Sequence, residues 1–129
     1  MRGKDVQLAQ ASITYPNGFT AVHPTNLTVE AGEFFSILGP SGCGKTTILK
    51  AVSGFVDLSQ GQILIGGQDQ KGVRPDNRET ALIFQNLALF PLMDVWENVA
   101  FGLEARGVRR AARRDRAMEL LDLVALQEQ

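Results

Sequence analysis

The sequence predicts an α/β fold with a helical extension, on three observations. Gly39-Pro40-Ser41-Gly42-Cys43-Gly44-Lys45-Thr46 forms a glycine-rich loop ending in Lys-Thr. The loop stands between an apolar run, Phe34-Phe35-Ser36-Ile37-Leu38, and a stretch of helical periodicity. Short apolar runs occupy the first two thirds of the chain, and helical patterns occupy the last third. Strands first, one strand–loop–helix unit embedded, and helices last is the order of such a domain.

Each element has a local reason. Val6 to Tyr15 has strand character and ends at Pro16-Asn17-Gly18, a strong turn signal. Leu27-Thr28-Val29 alternates like a short half-buried strand before a turn at Ala31-Gly32. Phe34 to Leu38 is nearly continuously apolar and bounded by glycines, which suits a strand covered on both faces. Lys45 to Val52 reads as a helix, with Ile48, Leu49 and Val52 at helical spacing and Gly54 as its stop. Ile63-Leu64-Ile65 and Ala81-Leu82-Ile83-Phe84 are further strand candidates. Val95 to Ala105 places Val95, Val99 and Leu103 four apart, with Gly107 as a stop. Arg109 to Leu126 carries Ala117, Leu120, Leu121 and Val124 on one helical face.

Composition narrows the class. The 129 residues are 44% hydrophobic, enough apolar surface to offset the entropy of ordering a domain. The 13 glycines show no period of three, and a single Cys excludes a disulfide framework. With 13 basic against 14 acidic residues, no global charge favours nucleic acid or an anionic membrane. The uncharged stretch from Thr80 to Met93 is too short and too polar for a bilayer span, which needs about 20 apolar residues. No apolar run follows Met1-Arg2-Gly3-Lys4-Asp5, so no signal peptide is visible and a cytoplasmic protein is expected.

The loop carries the chemistry. Gly39 to Thr46 fits G-x-x-x-x-G-K-[ST]. Its glycines let successive N–H groups turn into one concavity with no side chain in the way of a phosphate. The following helix adds its N-terminal dipole and unpaired N–H groups. Lys45 then reaches the β and γ phosphates, the Thr46 hydroxyl can ligate Mg²⁺, and Thr47 is placed for an α-phosphate oxygen. With Gly at about 7% of residues, chance produces this pattern roughly once in a few hundred chains of this length. Cys43, inside the loop, is either a small residue tolerated there or a thiol whose modification blocks nucleotide binding.

Gly32 to Thr47 resembles the Walker A region of the ATP-binding subunits of ABC transporters. The likeness continues through Gly61 and Ile63 to Asp69. Ile83-Phe84-Gln85-Asn86-Leu87-Ala88-Leu89-Phe90-Pro91 is similar to the family's Q-loop, and Val95 to Leu103 to the helix after it. The wording around both motifs looks most like the polyamine, iron(III) and small-solute importers. The resemblance implies a P-loop NTPase-like nucleotide-binding domain, N-terminal part: an antiparallel β subdomain, the phosphate-loop unit and the start of a helical subdomain. Residues 1–93 would be the nucleotide-binding core and 94–129 the beginning of the helical part.

The resemblance also implies roles. Gly39, Pro40, Ser41, Gly42, Cys43, Gly44, Lys45, Thr46 and Thr47 would hold ATP, and Thr46 with Gln85 would face Mg²⁺. Tyr15 matches the position whose ring stacks on adenine; the competing reading is a strand Tyr capping a sheet edge. Gln85 matches the glutamine that approaches the metal and the attacking water, a role that an uncharged amide fills without adding charge. Leu87 to Met93 matches the segment that receives a helix of the membrane-spanning permease, against the alternative that it packs on its own chain. The partners implied are that permease and a second ATP-binding subunit, with no nucleic acid. The place implied is the cytoplasmic face of the membrane.

Several fragments point elsewhere. Leu58-Ser59-Gln60-Gly61-Gln62 resembles the L-S-G-G-Q signature, but it comes too early and Gln60 replaces a glycine, so a turn is expected. His23 stands among the early strands, away from the switch-histidine position. One His and one Cys build no metal cluster or triad. Arg106, Arg109, Arg110, Arg113 and Arg114 fall on one helical face, expected to be solvated. No apolar run ends in Asp-Glu, and in the family's order Gln129 falls just before the signature. The expectation is an ATPase part that binds ATP but is catalytically incomplete; the alternative is a non-catalytic truncated product that only binds nucleotide or partners. A DNA-repair or translation ATPase would need a different Q-loop environment and more basic surface. Phe34 to Leu38, lacking neighbouring strands, should leave the isolated chain marginally stable.

Overall fold

The computed structural model describes residues 3–128, which form two compact units divided between Leu82 and Ile83. The first holds a four-stranded antiparallel sheet in the order β2-β1-β3-β4. Its strands are β1 (Val6–Thr14), β2 (Thr20–Val29), β3 (Gln60–Ile65) and β4 (Gln68–Asp69). The β1–β2 hairpin turns where the sequence signals it. Gly18 N–H donates to the Tyr15 carbonyl at 2.9 Å, and Tyr15 N–H donates to the Phe19 carbonyl at 2.8 Å. This is a three-residue hairpin loop, with Gly18 left-handed at φ 83°.

Strand β1 carries a bulge that its sequence does not announce. Its register against β3 shifts between Ala9 and Ser12, and Gln10 takes φ 49°. Asn26 Oδ1 accepts the displaced Gln10 N–H at 2.8 Å. The extra residue is why Ala11, Ser12 and Ile13 are all buried, a run that strict alternation forbids. Leu8, Ala11 and Ile13 then join Val22, Ile63 and Ile65 in one core. Helix α1 (Lys45–Val52) lies on that core through buried Ala51, with Ile48 and Val52 beside it.

Two expected strands do not form. Phe34 to Leu38 and Ala81 to Phe84 carry no strand pairing. An apolar run marks a strand only where a neighbour takes its N–H and C=O groups, and no described strand lies beside either run. The first run keeps strand-like alternation nonetheless. Phe35 and Ile37 line an apolar cavity with Leu8, Leu27 and Ile48, whereas Phe34 and Leu38 are 93% and 90% exposed.

In the second unit, α2 (Val95–Ala105) and α3 (Arg110–Leu123) occupy the predicted stretches. Ala100, Ala117 and Leu121 are buried, but Leu120 and Val124, expected on the same face, are exposed. The arginine face is not simply solvated. Arg110 and Arg114 stack over the Trp96 ring at 5.3 and 5.5 Å, and Arg113 pairs with Glu104 at 3.1 Å, so this face ties α3 to α2.

Candidate functional site

The glycine loop opens α1. Gly44, at φ 92°, caps the helix from a left-handed conformation that bulkier residues resist, and its carbonyl accepts Ile48 N–H at 2.9 Å. No side chain caps this end, so the first helical N–H groups stay available to an incoming anion. Loop and sheet meet closely here: a Cβ on Gly44 would stand 2.5 Å from the Ala21 carbonyl oxygen of β2. The loop also curls back on itself. A Cβ on Gly39 would stand 2.7 Å from Cys43 Sγ.

Lys45 projects into that curl. Its ammonium donates to the carbonyls of Gly39 at 2.5 Å and Pro40 at 2.7 Å and lies 3.6 Å from Cys43 Sγ. A phosphate entering the loop would compete for those protons, and its full negative charge makes it the stronger acceptor. Thr46 is exposed at the first turn of the helix, and Thr47 is half-buried beside it. Among the described residues no group of three or more His, Cys, Asp or Glu could hold a metal ion. A Mg²⁺ here would take one protein hydroxyl, from Thr46, with phosphate oxygens and waters completing its shell, a donor set that suits that ion.

Gln85 lies in the second unit, apart from the loop in the division of the chain. It is exposed at the first corner of a turn closed by Leu87 N–H donating to the Phe84 carbonyl at 2.9 Å. Leu87 and Ala88 follow at φ 63° and 51°, two consecutive non-glycine residues in the left-handed region. Beyond them Leu89 and Leu92 are 70% and 99% exposed. Tyr15 stands in the first unit at the end of β1, 39% exposed.

Two residues that no sequence signal marks shape these surfaces. Arg78 sends its guanidinium to the carbonyls of Ala51, Val52, Gln70 and Val73, closing the far end of α1. Asn98 holds the Phe90–Asp94 backbone by four hydrogen bonds of 2.8 to 3.2 Å. Nothing in a lone Arg within a polar turn, or an Asn within a helix, signals those targets. The false signature is not a turn: Gln60 to Gln62 belong to β3, and Ser59 Oγ accepts Thr14 N–H at 2.8 Å. His23 is exposed on β2.

The family model described as ABC transporter matches residues 22–129. Among curated proteins, the chain is 48% identical over 110 residues to the spermidine/putrescine import ATP-binding protein PotA of Roseobacter denitrificans, covering 85% of this chain and 30% of that protein. It is 43% identical over 125 residues to the Fe(3+) ions import ATP-binding protein FbpC 1 of Rhizobium meliloti, covering 92% of this chain and 35% of that protein. The chain thus spans about a third of the length of these relatives. Among solved structures it is similar to the ATP-binding cassette MJ0796 in a dimeric post-hydrolysis state bound to ADP and Pi. That match has a TM-score of 0.78 and 30% identity, over 91% of this chain and 56% of the other. No helix among the described residues is long and apolar enough to cross a membrane.

Proposed function

Because the chain belongs to the ABC transporter family, we propose that it grips the phosphates of ATP within an ATP-binding subunit that powers solute import. One observation carries this: a glycine loop curled around the Lys45 ammonium, ahead of a helix whose first N–H groups no side chain caps. The loop from Gly39 to Gly44 supplies room and, Pro40 apart, N–H groups, Lys45 neutralises the β and γ phosphates, and Thr47 takes an α-phosphate oxygen. Thr46 would hold Mg²⁺, which would supply positive charge against the phosphates. Tyr15 stacks on the base, and Gln85 orients the attacking water near the metal.

In the same reading, Leu87 to Met93 docks on the permease. The exposed Leu89 and Leu92 form an apolar face that such a partner would cover, holding the subunit at the cytoplasmic side of the membrane. A second ATP-binding subunit supplies the rest of the charge stabilisation that hydrolysis needs. The names of the relatives, spermidine/putrescine and Fe(3+) import proteins, support uptake as the direction.

Lys45→Ala tests the central claim. It should abolish MgATP binding by this chain or its full-length parent, measured by titration calorimetry with the fold checked by circular dichroism. Unchanged affinity would defeat the reading.

A further inference from the structure

We propose that a cavity at the C-terminal end of α1, opposite the phosphate loop, is a second ligand site that takes a free aliphatic α-amino acid. The cavity measures about 320 Å³, within the roughly 300 to 1,000 Å³ of small-molecule sites. Ala51, Val56, Leu58 and Ile63 give it apolar walls. It shares no residue with the proposed nucleotide site, so it stands or falls independently of that reading.

Four charged side chains line the cavity, and two are already engaged. Arg78 gives its guanidinium to the carbonyls of Ala51, Val52, Gln70 and Val73. Asp69 accepts Lys71 N–H at 3.0 Å and Gln62 Nε2–H at 3.2 Å. The Asp57 carboxylate and the Lys71 ammonium remain, and neither makes a hydrogen bond or close ion pair among the described residues. One anion and one cation beside the same apolar walls complement a molecule that carries both charges. A ligand of single charge would satisfy one and be repelled by the other.

Gln70 adds an acceptor that needs a donor. It is 8% exposed, the one amide among the buried polar side chains described, which are otherwise serines. Its Nε2 donates to the Gln68 carbonyl at 2.9 Å, while its Oε1 accepts no hydrogen bond among the described residues. None of the described side-chain oxygens is both sealed from solvent and unpaired, so this one opens onto space that a ligand can enter. An α-ammonium carries three protons, enough for Asp57 and Gln70 together. The α-carboxylate then meets Lys71 in a charge-assisted bond, and an aliphatic side chain covers the apolar walls.

The test follows backbone amide chemical shifts of the full chain by NMR during titration with three probes. These are L-leucine, 3-methylbutylamine, which lacks the carboxylate, and 4-methylpentanoate, which lacks the ammonium. L-Leucine should shift the Gln70, Lys71 and Gly72 amides with a Kd of about a millimolar, the order expected of so small a ligand. The other two should bind at least about fivefold more weakly. Asp57→Asn should weaken L-leucine about fivefold and leave 4-methylpentanoate unchanged. Lys71→Gln should weaken L-leucine and leave 3-methylbutylamine unchanged. Both side chains are exposed, and unaltered shifts elsewhere in the spectrum show that each variant keeps its fold. No response of these amides to L-leucine would overturn the proposal. So would an amine or an acid that binds as tightly as L-leucine, since either marks a site for a single charge.

Discussion

Arg78 Nη1 donates to the carbonyl oxygen of Ala51 at 2.9 Å, across 27 positions of sequence, and to that of Val52 at 3.1 Å. The last turn of α1 is thereby finished twice. Phe55 N–H reaches the Lys50 carbonyl at 2.8 Å and Gly54 N–H the Ala51 carbonyl at 3.1 Å, the paired bonds of a Schellman motif. Arg78 adds a cation where the helix dipole favours one. Removing it strands part-buried carbonyls, so Arg78→Met should cost about 2 kcal/mol in urea unfolding. Arg78→Lys should recover less than half of that, because an ammonium lacks the planar fork. A wild-type midpoint in both variants would contradict the assignment.

The same residue makes a statement about pH. Burial lowers the Arg78 pKa, with the Asp57 carboxylate pulling it back up. The folded chain therefore holds this proton less tightly than the unfolded chain, and stability would rise with pH only through a strongly alkaline window. Below that window both states are protonated and the cost is constant. The stability difference between wild type and Arg78→Met should be flat from about pH 6 to about pH 9. A step within that range would show that another titrating group works through Arg78.

Gly61 is the price of the β1 bulge. At φ 83° it passes so close to Gln10 that an added Cβ would run into that residue's carbonyl and stand 2.5 Å from the Ala9 carbonyl oxygen. Both obstacles are backbone, so no side chain can move aside. Gly61→Ala should destabilise the chain by at least about 2 kcal/mol, combining left-handed strain with the clash. Equilibrium unfolding measures this directly, and a loss below about 0.5 kcal/mol would mean the bulge slips at little cost.

Local physics explains which of these features could be read from sequence. Helix α1 and helix α2 occupy the predicted residues because periodicity and glycine stops act within a few positions. The glycine loop was legible for the same reason: its function is a backbone shape that glycine spacing writes directly. Phe34 to Leu38 misled because strand formation depends on a partner, and the run itself says nothing of one. Arg78, Asn98 and the Gln10 bulge were silent because each acts through backbone atoms of another segment.

Asn98 fixes the segment proposed to dock. It accepts Phe90 N–H at 2.8 Å and donates to the carbonyls of Phe90, Met93 and Asp94 at 3.1 to 3.2 Å. The Phe90 and Phe101 rings, 4.5 Å apart, hold the same turn from its apolar side. Asn98→Leu keeps the volume and removes every one of those bonds. The Phe90 amide should then exchange with solvent at least about tenfold faster, equivalent to roughly 1.4 kcal/mol of lost local protection. Helix α2 should stay helical, since Glu97 still accepts Asp94 N–H at its start. Unaltered exchange at Phe90 would leave the turn held by its rings alone.

Cys43 reports on the loop chemically. It is a free, exposed thiol whose sulfur lies 3.6 Å from Lys45 Nζ, beside the curl proposed to receive phosphate. A bound polyphosphate would cover it, and an alkyl group on the sulfur would intrude where a Cβ on Gly39 already finds no room. Maleimide labelling should therefore slow about tenfold when MgATP stands at ten times its Kd, since labelling then proceeds through the unliganded tenth of the chains. The alkylated chain should in turn bind no MgATP. Lys45→Ala, which removes the phosphate's main cation, should label at one rate with or without MgATP. Equal labelling of the wild-type chain in both conditions would place the nucleotide away from this loop, whatever the loop's resemblance.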